Sequence, residues 1–362
     1  MLAEADRRWL DDSAELLDSG NALASEVVPR LAGAGLFGLG VPRDLGGQGG
    51  DVRDAVEAIA TVAGYSLAAA FTFWGQRAFI EYLLQSPNAG LRERWLPGLL
   101  NGSQAGATGL SNAMKYLGGI ESLQITATPE GEGWRLDGVV PWCTNLRPQG
   151  FAAAVAVQRA KGGAPLVAVL TAGQLGVTRS DDLDLIALRG SNTASLHIEG
   201  ARLEAAEVIH EEANRFLPAI RPDFLGLQCG LSIGLARAAL ATAAERSGAG
   251  RAVLEGPIAA QQERLAATVD ALYEGLADRR FRTQPEALFR ARLALADIAQ
   301  GAVQLELQAS GGRGYHRDQP LTFARRWREA AFIPIVTPSV VQLQGELAKR
   351  AAQQAAAAAS AP

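Results

Sequence analysis

Gln308-Ala-Ser-Gly-Gly-Arg-Gly-Tyr315, followed by Pro320, Arg326 and the run Ile333-Pro-Ile-Val-Thr337, decides the reading of this 362-residue chain. A long apolar helical pattern runs into a Gly-Gly-x-Gly turn, where missing side chains let backbone approach a flat or anionic group closely. Upstream, Leu288, Leu293, Leu295, Ile298, Val303 and Leu305 give that helix a wide apolar face, so it is expected to be deeply buried. Before it, Ile258, Leu265, Val269, Leu272 and Leu276 fall at intervals of seven, four, three and four, an amphipathic stripe suited to a helix bundle. The Ala-rich stretch after Lys349 reads as frayed helix or disorder.

Moving toward the N-terminus, the texture changes. From about 104 to 213 the pattern is that of strands: Leu123–Thr128 and Ala194–Glu199 alternate apolar and polar residues, and Trp134–Val140 resumes after a turn at Pro129–Gly133. Phe151–Val157 and Leu166–Leu170 are continuous apolar runs, as in strands buried on both faces. His197 falls on the polar side of its alternation and is expected to be exposed. Residues 1–103 read as helical again, interrupted by the Gly-rich turn Gly38–Gly50 and stopped at Ser86-Pro87-Asn88. The expectation is a mostly α, α+β chain of three units. These are an N-terminal helical domain (1–103), a small central β-barrel or sandwich (104–213) and a C-terminal four-helix bundle (214–362).

Composition excludes several classes. Hydrophobic residues make up 48% and charged residues 20%, and the net charge is −4. No electrostatic reason for nucleic-acid binding exists, since Arg325-Arg326-Trp327-Arg328 is the longest basic run. Cys143 and Cys229 sit apart in apolar contexts and read as buried thiols, and His197, His210 and His316 do not cluster, so no metal site is expected. The first residues are acidic with no apolar segment behind them, and no uninterrupted apolar run approaches the ~18 residues of a membrane span. A cytoplasmic protein without a membrane partner is expected.

Taken in order, these landmarks resemble the acyl-CoA dehydrogenase family of flavoproteins over about residues 7–350. The matching stretches are Leu36–Gly49, Arg92-Glu-Arg-Trp-Leu-Pro-Gly98, Gly138-Val-Val-Pro-Trp-Cys-Thr-Asn145, Leu188–Thr193 with Leu196–Glu199, the spacing of Arg251 and Gln262, and Gln308–Tyr315. The resemblance implies FAD, held by Trp142, Thr144, Thr108, Ser111, Arg251, Gln262, Gln308, Gly311, Gly312 and Thr337. It also implies an acyl-CoA or related substrate in fatty-acid or lipid metabolism, and a homodimer or homotetramer with cofactor sites shared between subunits. Each assignment makes physical sense. Trp142 at a strand end offers a flat wall for an isoalloxazine, although a core tryptophan is the plainer alternative. Thr144, two residues on, faces the same way and can bond the ring edge. Arg251 suits a pyrophosphate, or is a solvated surface arginine.

In the family a glutamate removes the substrate α-proton while flavin N5 takes the β-hydride. Here the two positions that carry this base hold Ile335 and Phe224, neither of which accepts a proton. Asp223 is the best remaining candidate, against the plainer role of a carboxylate near a helix N-terminus. The phosphate-contacting Thr-Glu-x-Gly-x-Gly-Ser-Asp loop is replaced by Thr108–Lys115, Leu254 stands where an aromatic is usual, and the glutamine after the last threonine is displaced to Gln342. Three functions follow as alternatives. The chain oxidises an acyl thioester; or it is a flavin monooxygenase on the same scaffold, with His316 above the ring; or it is a base-less subunit in a heteromer with a catalytic paralogue. Substrate size depends on Trp74, Tyr82 and Phe224, and the bulk of Phe224 and Leu225 points to a short or unusual acyl group.

Overall fold

A computed structural model describes residues 2–248, 250–316 and 323–359; Pro320 lies outside them. Five helices open the chain: α1 (Glu4–Ser19), α2 (Ala24–Gly33), α3 (Val52–Tyr65), α4 (Leu67–Gln85) and α5 (Ala89–Leu100). The helical stretch expected after Val52 is two helices, not one. Ser66 adopts an extended backbone and caps α4 by accepting a hydrogen bond from the Ala69 N–H. Asn88 caps α5 through the Leu91 N–H in the same way.

The central unit is a sheet. Its strands are β1 (Ala105–Thr108), β2 (Ile125–Glu130), β3 (Gly133–Cys143), β4 (Phe151–Arg159), β5 (Leu166–Thr171), β6 (Val177–Arg179), β7 (Ala194–Leu203) and β8 (Val208–His210), with α6 (Ser111–Leu117) between β1 and β2. They run in the order β6-β7-β3-β2-β4-β5-β8, and β1 pairs with β4. Both faces of β4 are buried. Ala152, Ala154 and Ala156 belong to the core of the helices, and Ala153, Val155 and Val157 to a separate core inside the sheet. That explains the unbroken apolar run, and the small alanines let the helices come close. His197 is exposed, as its place in the alternation predicts.

The C-terminal unit holds α7 (Ala213–Arg246), α8 (Glu255–Ala277), α9 (Pro285–Ser310), α10 (Phe323–Phe332) and α11 (Val340–Ala359). The Ala-rich stretch is thus helix through Ala359. All five stripe residues of α8 are buried, as are both cysteines. α7 is long and apolar enough to cross a bilayer, yet 83% of its apolar window is buried within the protein. It packs closely on α3, because a β-carbon on Gly234 would stand 2.0 Å from the Ala60 carbonyl oxygen.

Candidate functional site

Strand β3 brings Trp142, and Thr144 just past its last residue, to one end of the sheet's strands. Trp142 is 55% exposed although Cys143, Thr144 and Asn145 beside it are buried. Thr144 forms an antiparallel bridge with Thr108 at the end of β1. The chain then turns through Asn145, whose left-handed backbone (φ 61°) aims its side chain inward. There Nδ2 donates to Gln76 Oε1 at 2.9 Å and to the Gly106 carbonyl at 2.8 Å. Gln76 Oε1 also accepts from the Gly106 N–H at 2.7 Å, so one buried amide joins α4, β1 and β3. Helix α4 approaches so closely that a β-carbon on Gly75 would lie 3.0 Å from Thr144 Cγ2. Neither Gln76 nor Asn145 was singled out from sequence; the only available signal was Asn145's place right after the Trp-Cys-Thr element.

The two threonine hydroxyls are engaged inside the protein. Thr144 Oγ1 donates to the Ser191 carbonyl at 3.3 Å, and Thr108 Oγ1 shares a 2.7 Å hydrogen bond with the Tyr82 hydroxyl. Burial pushes the Tyr82 phenol well above its ordinary range, so it stays neutral. Behind Tyr82 runs a row of rings. Phe224 stacks on Tyr82 with centroids 6.4 Å apart, and Trp74 lies 5.1 Å from Phe224. Phe71 stacks on Trp74 at 5.4 Å and meets Phe332, the last residue of α10, at 4.7 Å.

The Thr108–Lys115 stretch, which stands in place of the family's phosphate-contacting loop, is mostly helix. Ser111 is the first residue of α6, half-buried, while Leu110, Ala113 and Met114 are buried. Three apolar side chains anchor the turn, and Gln342 Nε2 donates to the Met114 carbonyl at 2.8 Å. The helix forms because these residues have core to fill, which the loop's usual glycines would not.

The segment after α10 is fixed by a buried network. Arg292 on α9 donates to the Ile333 carbonyl at 2.6 Å and to Gln228 Oε1 at 2.9 Å, and Gln228 donates to the Thr337 carbonyl at 2.9 Å. Ile335 projects from this held segment, 67% exposed. Phe224 is buried in the ring row. Asp223 Oδ2 instead accepts from Gln85 at 2.6 Å and lies 4.0 Å from Arg282. Burial, with the charge of Glu81 added, raises its pKa to about 6. Its partners are the last residue of α4 and Arg282, just before α9.

A second cluster belongs to the C-terminal helices alone. Arg251 Nη1 donates to the Ala309 carbonyl near the end of α9 and to the Arg246 carbonyl at the end of α7, and Nη2 lies against the turn at Gly311. Arg251 thus lies beside the glycine turn. Gln262, Gln308, Gly312 and His316 are exposed, and Thr337 is half-buried. Near the start of α7, a cavity of about 220 Å³ is lined by Arg221, Arg282, Arg350 and Glu346 with apolar walls from Phe281 and Leu288. Arg221 forms a buried bidentate pair with Glu346 at 2.6 and 2.8 Å, which leaves its Nε unpartnered.

These residues fit the ring of a flavin. A large indole stands exposed beside buried hydroxyls on a rigid strand end, which suits a flat aromatic group laid over it. The Arg251–Gly311 corner suits an anionic end.

Residues 2–103 match the family model described as acyl-CoA dehydrogenase, N-terminal domain. The acryloyl-CoA reductase (NADH) of Anaerotignum propionicum is 25% identical over 346 residues, covering 90% of this chain and 86% of that protein. The butyryl-CoA dehydrogenase structure from Megasphaera elsdenii superposes with a TM-score of 0.78 at 20% identity, covering 96% of this chain and 98% of that one. The structure of KijD3 with FMN and a dTDP-sugar superposes at 0.77 with 22% identity, covering 96% and 91%. The N-terminal match, a relative along nearly the whole length and the shared three-part fold together support membership of this chain in the acyl-CoA dehydrogenase family.

Proposed function

We propose that this chain binds FAD against the Trp142–Thr144 strand end, in an oligomer, and oxidises an acyl thioester or similar substrate at its α,β carbons. The exposure of Trp142 among buried neighbours carries the reading. FAD, when bound, supplies a hydride acceptor at N5. Trp142 would flank the ring and Thr144 and Thr108 would line its edge. Arg251 with Gly311 would serve an anionic end of a cofactor, in keeping with sites shared between subunits. The arginine-lined cavity by Arg221 offers charge and shape for phosphates of a CoA thioester. Asp223 is the carboxylate nearest in chemistry to a base, since a pKa of about 6 leaves it ionised at neutral pH.

The test is anaerobic. Purified protein is expected to be yellow, to release FAD and not FMN on denaturation, and to bleach with an acyl-CoA. Bleaching undiminished in Asp223→Asn removes Asp223 as the base, and a colourless protein that takes up no flavin removes the reading itself.

Two observations favour a second reading. Ile335 stands exposed where the base belongs, and α6 replaces the phosphate loop. A subunit completed by a catalytic paralogue accommodates both. Flavin retention and bleaching that arise only on co-purification with a homologous subunit would select it.

A further inference from the structure

The space between α4 and α7 behind the Thr108–Thr144 wall is filled with aromatic rings. Tyr82 bonds Thr108 at 2.7 Å, Phe224 stacks on Tyr82, Trp74 follows, and Phe71 closes the row against Phe332. All but Phe332 are buried. Trp74 is held in place, because its indole Nε1 donates to the Phe224 carbonyl at 3.4 Å. The row runs from the wall to the end of α10, just before the segment that bears Ile335. A flexible alkyl chain entering from the wall would have to displace rings in van der Waals contact and pinned by two hydrogen bonds. Close-packed interiors do not yield such volume without loss.

We infer that Phe224 and Trp74 act as specificity-determining residues, closing this side of the site so that it takes acyl thioesters of few carbons and rejects long ones. The inference rests on the acyl-thioester reading above. It assigns the limit on chain length to Phe224, which projects from α7 between Tyr82 and Trp74. Cutting that ring back opens a space lined by Trp74 and Tyr82, where added methylenes would be buried.

The experiment is calorimetric titration of the purified full-length protein with acetyl-, butyryl-, octanoyl- and dodecanoyl-CoA, repeated for Phe224→Ala and the milder Phe224→Leu. The CoA portion is constant, so the ratio across lengths isolates the acyl group. Wild type is expected to bind butyryl-CoA at least about tenfold more tightly than octanoyl-CoA. Each methylene that enters the opened space tightens binding roughly threefold to fourfold, which reverses that order in Phe224→Ala. Phe224→Leu, which keeps most of the packing, is expected to narrow the gap if the alanine variant does not fold. Wild type binding octanoyl- or dodecanoyl-CoA as tightly as butyryl-CoA overturns the inference and leaves the acyl-thioester reading standing. No binding of any acyl-CoA, by any of the three proteins, overturns both.

Discussion

Nη2 of Arg251 lies 2.8 Å from where a β-carbon on Gly311 would stand. Two residues 60 positions apart, both of which the family resemblance assigns to cofactor binding, thus form one corner. Gly311 holds φ 59° and ψ −151°, a region essentially confined to glycine. Gly311→Ala is expected to cost about 1–3 kcal/mol in urea unfolding and to turn the arginine away, lowering flavin retention. Gly33→Ala in α2, whose β-carbon meets nothing within 4 Å, is the control and should leave both nearly unchanged. Equal effects at the two glycines would detach the corner from cofactor binding.

Trp142 separates folding from binding. Its indole is 55% exposed, so Trp142→Ala should alter unfolding free energy by no more than about 1 kcal/mol. Flavin content of the purified protein should nevertheless fall severalfold, since the wall for the ring is gone. Full flavin content in a stable variant would place the ring elsewhere.

The strand carrying this wall could be read in advance because β3 and β4 obey simple burial rules. β4 is apolar from Phe151 to Val157 because both its faces are covered there, and β7 alternates because only one face is. Helix α6 was not legible. Leu110, Ala113 and Met114 give only one helical turn of pattern, and the burial that fixes it comes from contacts such as Gln342, over two hundred residues away. The buried polar pieces were equally hidden. Arg292 and Gln228 look like ordinary helix residues until α9, α7 and the Ile333–Thr337 segment come together. Nor does sequence give the direction of Asp223, which depends on where Gln85 and Arg282 lie.

Asp223 predicts a pH signature. Burial first, then Glu81, raises its folded pKa to about 6, whereas an unfolded aspartate titrates near ~3.9. Between these values the folded protein keeps a proton that the unfolded chain releases. Its contribution to stability is therefore favourable at low pH and is lost as pH rises through about 6. Asp223→Asn keeps an acceptor for Gln85 and removes the buried charge. It should stabilise the protein on the order of 1–2 kcal/mol at about pH 7.5, with the difference closing by about pH 4. Paired urea titrations at the two pH values decide it; a variant less stable than wild type at the higher pH would show that Arg282 outweighs burial.

Ile335 offers the sharpest chemical prediction. Arg292 and Gln228 pin the backbone on either side of it through the Ile333 and Thr337 carbonyls, so a new side chain there inherits a fixed direction. It is 67% exposed, and Ile335→Glu should therefore change stability by less than about 0.5 kcal/mol. A positioned general base typically contributes 10²–10⁴-fold. If the segment faces the flavin, as the family resemblance implies, the variant should bleach bound flavin with butyryl-CoA at least about 10²-fold faster than wild type. The gain should be larger at about pH 8 than at about pH 5, because only the ionised carboxylate accepts the proton. Wild type and variant bleaching at the same rate, with equal flavin content, would mean that Ile335 does not face the reacting carbons. The gap in the chemistry would then lie in the orientation of the whole segment and not in one residue.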